Sequence, residues 1–184
     1  MDFSHHSDLP RNLRFLILVT SDTIATKISK GERFADKSGD LAIGAISGAN
    51  HTVVDRLYVP NDISAIRERV KNAALNRVAD IILISGGTGP GPRDLTIEAV
   101  RPLFEKELPG FGELFRWMSY EKVGTSAMAS RATAGILNGV LVFALPGSPE
   151  AVRLALDKII IPESPHLVKM IRGHTHPSGD VATD

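Results

Sequence analysis

Residues 80–94 read DIILISGGTGPGPRD, and this stretch determines the fold that we predict. Its first half, residues 81–84, is a short apolar run rich in β-branched residues, which is typical of a strand buried on both faces. The run ends in a loop that holds four glycines and two prolines, and a segment with helical character follows. Such a strand, loop and helix predict an anion-binding site, because glycines let the backbone N–H groups approach a ligand's oxygens.

The loop differs from the two common phosphate-binding loops. No Lys-Ser or Lys-Thr pair follows the glycines, and Pro92 stands where the dinucleotide-binding fingerprint requires its third glycine. Asp94 adds a carboxylate, which needs a donor or a divalent cation beside a bound phosphate. The alternative is a tight turn with Asp94 or Thr96 as a helix N-cap. Because proline has no N–H group, the expected donors are Gly86, Gly87, Thr88, Gly89, Gly91 and Arg93.

The composition describes a globular protein without overall charge. Hydrophobic residues make up 43% of the 184 residues, and 21 Lys and Arg balance 21 Asp and Glu. No global basic field attracts nucleic acid, so we predict no nucleic-acid partner. The absence of cysteine excludes disulfides, thiolate metal sites and cysteine nucleophiles. The sequence shows neither a signal peptide nor an apolar span, so we predict a cytoplasmic protein with no membrane association.

The chain divides into one domain and two polar ends. Residues 1–12 include His5 and His6 and are predicted to form a mobile arm. Residues 174–184 (HTHPSGDVATD) are predicted to form a loose tail. Residues 13–173 are predicted to form a single domain, because no linker or internal repeat divides them.

Strands and helices alternate along this domain. Apolar runs predict strands at residues 14–20 and 140–144, and a weaker pattern at residues 52–59 predicts a strand near a sheet edge. Residues 24–37 are predicted to form an irregular loop. Helices are predicted at residues 41–47, 63–78, 96–108, 124–136 and 151–159, and Pro102 conflicts with the third of them. Pro162 and Pro165 are predicted to break the helix at 151–159, and a separate last helix is predicted from residue 166 to Gly173. This alternation predicts a parallel, doubly wound α/β sheet.

Two further sets of site candidates follow strands. Ser21 and Asp22 come directly after the first strand, where open α/β sheets bind ligands; the alternative is a local turn. The turn Pro146-Gly147-Ser148 follows the last strand, and Ser148 is predicted to cap a helix that begins at Pro149. The amides at that helix start form a second candidate anion site near the first.

Six motifs, taken together, resemble the MoaB/MogA family of molybdenum-cofactor biosynthesis proteins. The resemblance runs from about residue 14 to about residue 173 and includes SDT at 21, SGD at 38, SGGTGPGPRD at 85, PGFGELFR at 109, ASRATAG at 129 and LPGSPEAV at 145. It implies a three-layer α/β/α molybdopterin-binding domain with a mostly parallel sheet, assembled as a trimer or a hexamer. The aromatic residues Phe111, Phe115 and Trp117 suit either a subunit interface or a core helix.

The resemblance also implies a reaction. Active members of the family use Mg²⁺ and transfer the adenylyl group of ATP to the terminal phosphate of molybdopterin. The attacking oxygen belongs to the substrate, so the protein needs positioning and phosphate donors rather than a covalent nucleophile. By resemblance, Gly86, Gly87, Thr88 and Gly89 hold phosphate beside Arg93, and Asp94 supports either Mg²⁺ or the reacting groups. Ser130, Arg131 and the Pro146-Gly147-Ser148 turn line the pterin and phosphate pocket, and Ser21 and Asp22 lie near the nucleotide.

One position departs from the family pattern. Many active relatives carry an aspartate directly after the Val-Pro that ends the second strand, and this chain has Asn61 there, followed by Asp62. Asparagine binds Mg²⁺ without supplying charge. Asp62 either substitutes as a second metal ligand beside Asp94, or only caps the helix. Two hypotheses follow, a molybdopterin adenylyltransferase and a molybdopterin carrier without turnover. A third, a nucleotide-binding oligomer with no pterin role, explains the glycines but not the combined motifs.

Overall fold

A computed structural model describes residues 9–173, which form one six-stranded sheet with helices on both faces. The predicted terminal segments 1–12 and 174–184 lie largely or wholly outside the described residues. In chain order the strands are β1 Arg14–Thr20, β2 Thr52–Val59, β3 Ile81–Ser85, β4 Lys106–Glu107, β5 Thr133–Leu137 and β6 Val140–Leu145.

The sheet order β2-β1-β3-β6-β5-β4 confirms a mostly parallel sheet. Strands β2, β1, β3 and β6 are parallel to one another. Strand β5 runs antiparallel to β6, and the two-residue β4 pairs antiparallel with β5. Both β2, which has polar residues, and the very short β4 lie at sheet edges, where unpaired backbone groups are usually limited or covered.

The helices follow the strands. Their bounds are α1 Asp22–Ser29, α2 Lys37–Gly48, α3 Ile63–Leu75, α4 Thr96–Val100, α5 Pro109–Val123, α6 Pro149–Ala155 and α7 Ile161–Ile171. Short 3₁₀ turns occupy Arg101–Leu103 and Gly124–Ala129, and a π-helical segment, Leu156–Ile160, joins α6 to α7.

The sheet separates two hydrophobic cores. Along β1, Phe15 and Ile17 face a core that includes residues of α2, α5, α6 and α7. Leu16 and Leu18 point the other way, into a core that includes residues of α3 and α4. Side chains alternate across a strand, so an unbroken apolar run such as Ile81–Ser85 fills both cores at once. This arrangement confirms the three-layer α/β/α prediction.

Three local predictions are wrong. The irregular loop predicted at residues 24–37 is helical up to Ser29, because the Ser21 side chain caps α1. The helix predicted at residues 96–108 becomes a 3₁₀ turn where Pro102 removes a hydrogen-bond donor, and it ends before β4. The helix predicted at residues 124–136 is a 3₁₀ turn followed by β5, whose hairpin with β6 turns at Asn138 and Gly139.

The prolines of the last helix do not stop it. Pro162 lies in the first turn of α7, where a missing N–H group is tolerated, and Pro165 lies inside the helix. The π-helical segment directly before them changes the hydrogen-bond pattern without breaking the helical path. Helical backbone therefore continues from Pro149 to Ile171.

Candidate functional site

The glycine-rich loop begins at the carboxyl end of β3, in the middle of the sheet. Gly86 and Gly87 have φ angles of 102° and 63°, which side chains with a Cβ atom rarely adopt. The Gly86 amide donates to the Leu145 carbonyl at 3.0 Å, and a Cβ atom at Gly147 would lie 3.1 Å from Gly86 Cα. The loop after β3 and the turn after β6 therefore pack directly against each other, as predicted for the two candidate anion sites.

Three consecutive amides of the glycine loop lack a hydrogen-bond acceptor among the described residues. Within residues 9–173, the N–H groups of Gly87, Thr88 and Gly89 donate to no protein acceptor. The Gly86 and Gly91 amides, also expected as donors, are used internally by Leu145 and Asp94. Successive free amides in a glycine turn form a concave anion site. Of the six expected donors, four therefore remain without an acceptor among the described residues, namely these three consecutive amides and that of Arg93.

Asp94 closes the loop on itself. Its carboxylate accepts from the Gly91 amide at 3.0 Å and lies against Gly89. Thr96 donates its hydroxyl to the Gly86 carbonyl at 2.8 Å and its amide to the Gly87 carbonyl at 2.9 Å. Helix α4 starts without a side-chain cap, so the alternative in which Asp94 or Thr96 acts as an N-cap is wrong.

Arg93 faces a neighbouring loop. Its guanidinium donates to Asp22 Oδ2 from Nε at 3.0 Å and from Nη2 at 2.5 Å. Asp22 Oδ1 also accepts a hydrogen bond from the backbone N–H of Asn61 at 2.9 Å. The Arg93 hydrogen bonds, aided by that amide, lower the pKa of Asp22 below its ordinary value. Asp22 therefore joins the loops that follow β1, β2 and β3.

Arg131 holds the other side of the glycine loop. It donates to the Thr88 carbonyl at 3.1 Å and to the Asp94 carbonyl at 3.2 Å. Glu98 orients the guanidinium through two hydrogen bonds of 2.5 and 3.1 Å, and Arg131 in turn lowers the pKa of Glu98. This planar, bidentate geometry is specific to arginine.

Asn61 and Asp62 have different environments. The Asn61 amide oxygen is buried against Gly87, and it has no hydrogen-bond partner in the described part of the chain. Asp62 is exposed, and its carboxylate accepts from the Ala65 amide at 2.8 Å as the N-cap of α3. Of the two, Asn61 is the residue that faces the glycine loop.

Two open cavities flank the loop. The first, which we call the β1-side cavity, has a volume of about 470 Å³ and is lined by residues that include Ser21, Lys37, Ser38, Ser85 and Gly147. The second, the α5-side cavity, has a volume of about 610 Å³, and its lining includes Glu98, Arg116, Ser130, Arg131 and Thr133. Both volumes fall within the usual range of small-molecule sites.

Three residues of this region were not singled out as site candidates from the sequence. Ser38 donates its hydroxyl to the Gly147 carbonyl at 2.5 Å, which joins the SGD motif to the LPG motif. The Ser85 hydroxyl is buried without a partner among residues 9–173, beside the β1-side cavity. Glu98 holds Arg131. Ser38 and Ser85 could have been identified as site candidates because they belong to the SGD and SGGTGPGPRD motifs. No feature of the sequence around Glu98 indicates its role.

Comparison with known proteins identifies the family of the chain. A family model described as a probable molybdopterin binding domain matches residues 16–166. The chain therefore belongs to this molybdopterin-binding family of molybdenum-cofactor biosynthesis proteins. Molybdenum cofactor biosynthesis protein B of Bacillus subtilis (strain 168) is 42% identical over 169 residues, which cover 91% of this chain and 95% of the relative.

Solved structures of the family have the same fold. A crystal structure of a molybdenum cofactor biosynthesis protein B superposes with a TM-score of 0.81 at 39% identity, covering 90% of this chain and 99% of the other. The tungsten cofactor synthesizing protein MoaB from Pyrococcus furiosus superposes with a TM-score of 0.77 at 42% identity, covering 89% and 99%. These findings confirm the MoaB/MogA resemblance and support a role in molybdenum-cofactor biosynthesis.

Proposed function

We propose that the chain binds molybdopterin and transfers the adenylyl group of ATP to its terminal phosphate, releasing pyrophosphate. The observation that carries this proposal is the position of the glycine loop between two cavities. Gly86 lines the β1-side cavity, and Arg131, which donates to the Thr88 and Asp94 carbonyls, lines the α5-side cavity. A phosphate held there has room for a larger group on each side, which is what a transfer between two phosphate-bearing substrates requires.

We assign the β1-side cavity to the nucleotide and the α5-side cavity to the pterin. The unpartnered Ser85 hydroxyl and Lys37 suit the polar groups of ATP, because a buried hydroxyl without a partner is costly until a ligand binds it. The α5-side cavity offers Ser130, Arg131 and Thr133 to the polar edge of a pterin. The fused apolar and polar surfaces of such a ring match this mixed lining.

The chain's own groups would carry the reaction by positioning. The three free amides bind the phosphate oxygens and stabilise the charge that develops on them. Arg131 fixes the loop backbone through Thr88 and Asp94, and the Asp22–Arg93 pair fixes it from the other side. The loop is therefore shaped before the substrates bind, which reduces the entropic cost of bringing them together.

The site fits Mg²⁺ in part. Magnesium is usually held by one or two carboxylates together with substrate phosphates and water. Asp94 supplies one carboxylate on the loop, and the unpartnered amide oxygen of Asn61 supplies a neutral ligand. No group of three or more acidic or histidine side chains gathers within residues 9–173, so the substrate phosphates would complete the site. Bound there, Mg²⁺ would neutralise phosphate charge. Asp62 stays a predicted ligand, but its capping bond in α3 does not support that role.

The carrier hypothesis rests on Asn61. Because asparagine contributes no charge, a site with Asp94 alone holds the metal more weakly than a site with two carboxylates. A carrier needs the amide cradle and the pterin cavity, but it does not need a strong metal site. Turnover, rather than binding, therefore separates the two functions.

The deciding experiment incubates the purified full chain with molybdopterin, ATP and Mg²⁺ and measures pyrophosphate and adenylylated molybdopterin. We expect both products, and we expect Asp94→Asn to lower turnover by about 100-fold, as loss of a transition-state contact does. Asp157→Asn, at an exposed position on the π-helical segment, is the matched control and should leave turnover unchanged. Measurable molybdopterin binding without either product would support the carrier.

Assembly forms the second part of the proposal. Every third residue along part of α5 is an exposed apolar side chain, namely Leu114, Trp117, Tyr120 and Val123. Phe111 and Phe115, which we grouped with Trp117, are buried in the core instead. The core-helix alternative thus applies to the buried face of α5, and the subunit-interface alternative applies to its exposed face. We infer that the exposed face, next to the α5-side cavity, packs against other copies of the chain in a trimer.

A further inference from the structure

A second candidate site lies at the opposite end of the sheet from the glycine loop. It is a cavity of about 510 Å³ at the amino ends of β1, β3 and β6, separated from the loop by about 15 Å, the length of β3. Its charged lining residues are Arg14, Arg77, Asp80 and Arg172. Three arginines thus share a single carboxylate, and the side chains that line the cavity carry a net charge of +2.

Asp80 already contacts two of the arginines and one backbone amide. Its Oδ1 atom accepts from Arg172 at 3.0 Å and lies 3.5 Å from the Arg14 guanidinium. Its Oδ2 atom accepts from the Arg14 amide at 2.8 Å. Its single negative charge is therefore already shared by two guanidinium groups.

Arg77 is the third arginine. Among residues 9–173, no carboxylate forms an ion pair with its side chain. The guanidinium reaches toward the β5–β6 turn, since a Cβ atom at Gly139 would lie 3.9 Å from Arg77 Nη2. The C-terminal ends of α3 and α7 offset part of the positive charge but provide no anion.

The backbone at Arg77 adds a second observation. Its φ angle is 46°, and it follows the last turn of α3 with its amide donating to the Ala74 carbonyl at 3.1 Å. Helices usually place glycine at this left-handed position, because a Cβ atom is strained there. The chain therefore has a long cationic side chain at a position where the backbone conformation favours glycine. This points to a role for the guanidinium.

We propose that this cavity, the arginine cavity, binds a small phosphate-bearing anion. Guanidinium groups bind phosphate oxygens in bidentate geometry, and a dianion would match the excess charge of the lining. Ala79, Val140 and Ile171 provide an apolar wall for the rest of the ligand. The site is separate from the proposed transfer reaction and does not depend on it.

The test is a titration of the full, ¹⁵N-labelled chain with inorganic phosphate at constant ionic strength, followed by amide and arginine Nε–H NMR signals. We expect the signals of Gly139, Val140 and Arg77 to shift with phosphate. The Gly87 to Gly89 amides report the glycine loop in the same spectra, so the two sites are read independently.

Arg77→Gly is the decisive variant because its backbone suits that position, so folding should be preserved. It should weaken phosphate binding at Gly139 and Val140 about tenfold, the loss expected for one charge-assisted contact. Arg69→Ala removes an exposed arginine from α3, the helix that precedes Arg77, and should leave the affinity unchanged. Absence of phosphate-dependent shifts at Gly139 and Val140, or equal shifts in Arg77→Gly, would overturn the proposal.

Discussion

At the scale of single residues, Asp22 shows how one carboxylate joins the loops of the candidate site. It accepts hydrogen bonds from the Arg93 guanidinium in the glycine loop and from the backbone N–H of Asn61, which follows β2. The sequence placed Asp22 in the site because it follows a central strand. Its partner was not predictable, because 71 positions separate it from Arg93 and only the sheet order brings them together.

The Asp22–Arg93 pair makes stability depend on pH. The pKa of Asp22 is lowered in the folded chain, so its contribution is present above the ordinary aspartate range and is lost as pH falls through the folded pKa. Because Arg93 is largely exposed, we expect Asp22→Asn to cost about 0.2–1 kcal/mol at neutral pH. Urea unfolding at neutral pH and at about pH 3 measures this, and the cost should shrink at the lower pH. A cost that is equal at both would contradict the assignment.

At the scale of elements, the sequence predicted the central strands well and the β4–β5 region poorly. Strands β1, β3 and β6 are buried on both faces, so each appears as an unbroken apolar run. Strand β5 contains Ala134 and Gly135, which have weak strand preference, and its pairing with β6 and β4 determines its conformation. The Asn138-Gly139 pair, a strong hairpin signal, is the feature that identifies it.

Gly135 permits the packing of this hairpin. A Cβ atom there would collide with the Phe104 ring, which covers the strand. We therefore expect Gly135→Ala to lower the free energy of unfolding by about 1–3 kcal/mol through overpacking, as measured by urea titration. Gly44→Ala is the matched control, because that glycine lies within α2 with open space around it. The control should stabilise by about 0.5–1 kcal/mol. Equal effects of the two changes would refute the packing argument.

At the scale of the whole molecule, the sequence predicted the layers and the family, but it could not divide the aromatic residues between core and surface. Phe111 and Phe115 belong to the core beneath α5, and Trp117 is 61% exposed. Helical spacing separates these faces once the start of α5 at Pro109 is known. Among the described residues, no helix has the length and apolarity that crossing a bilayer requires, and the cytoplasmic location stays a prediction.

The assembly proposal makes Trp117 the informative residue. We expect the wild-type chain to sediment as a trimer at micromolar concentration, and Trp117→Glu to shift it toward the monomer because a buried charge is costly. Met170→Glu changes an exposed apolar residue on α7 and should leave the mass of the sedimenting assembly unchanged. As the only tryptophan, Trp117 also reports its own burial through its fluorescence. A monomeric wild-type chain would remove the basis of the proposal.

The strand order has a consequence for synthesis on the ribosome. Strands β2, β1 and β3 come from residues 14–85, whereas β4, β5 and β6 come from residues 106–145. Among the described residues, β3–β6 is the only strand pairing that joins these two halves of the sheet. When the first half leaves the ribosome, one edge of the apolar strand β3 is unpaired, and it stays so until β6 has been translated as far as Leu145. An unpaired edge of an apolar strand promotes aggregation. A chain ending at Asp94 should therefore aggregate, and soluble monomers of that length would contradict this order of events. The pairing of β3 with β6 also brings Gly86 against Gly147, so a nascent chain forms its candidate ligand site only when the two half-sheets join.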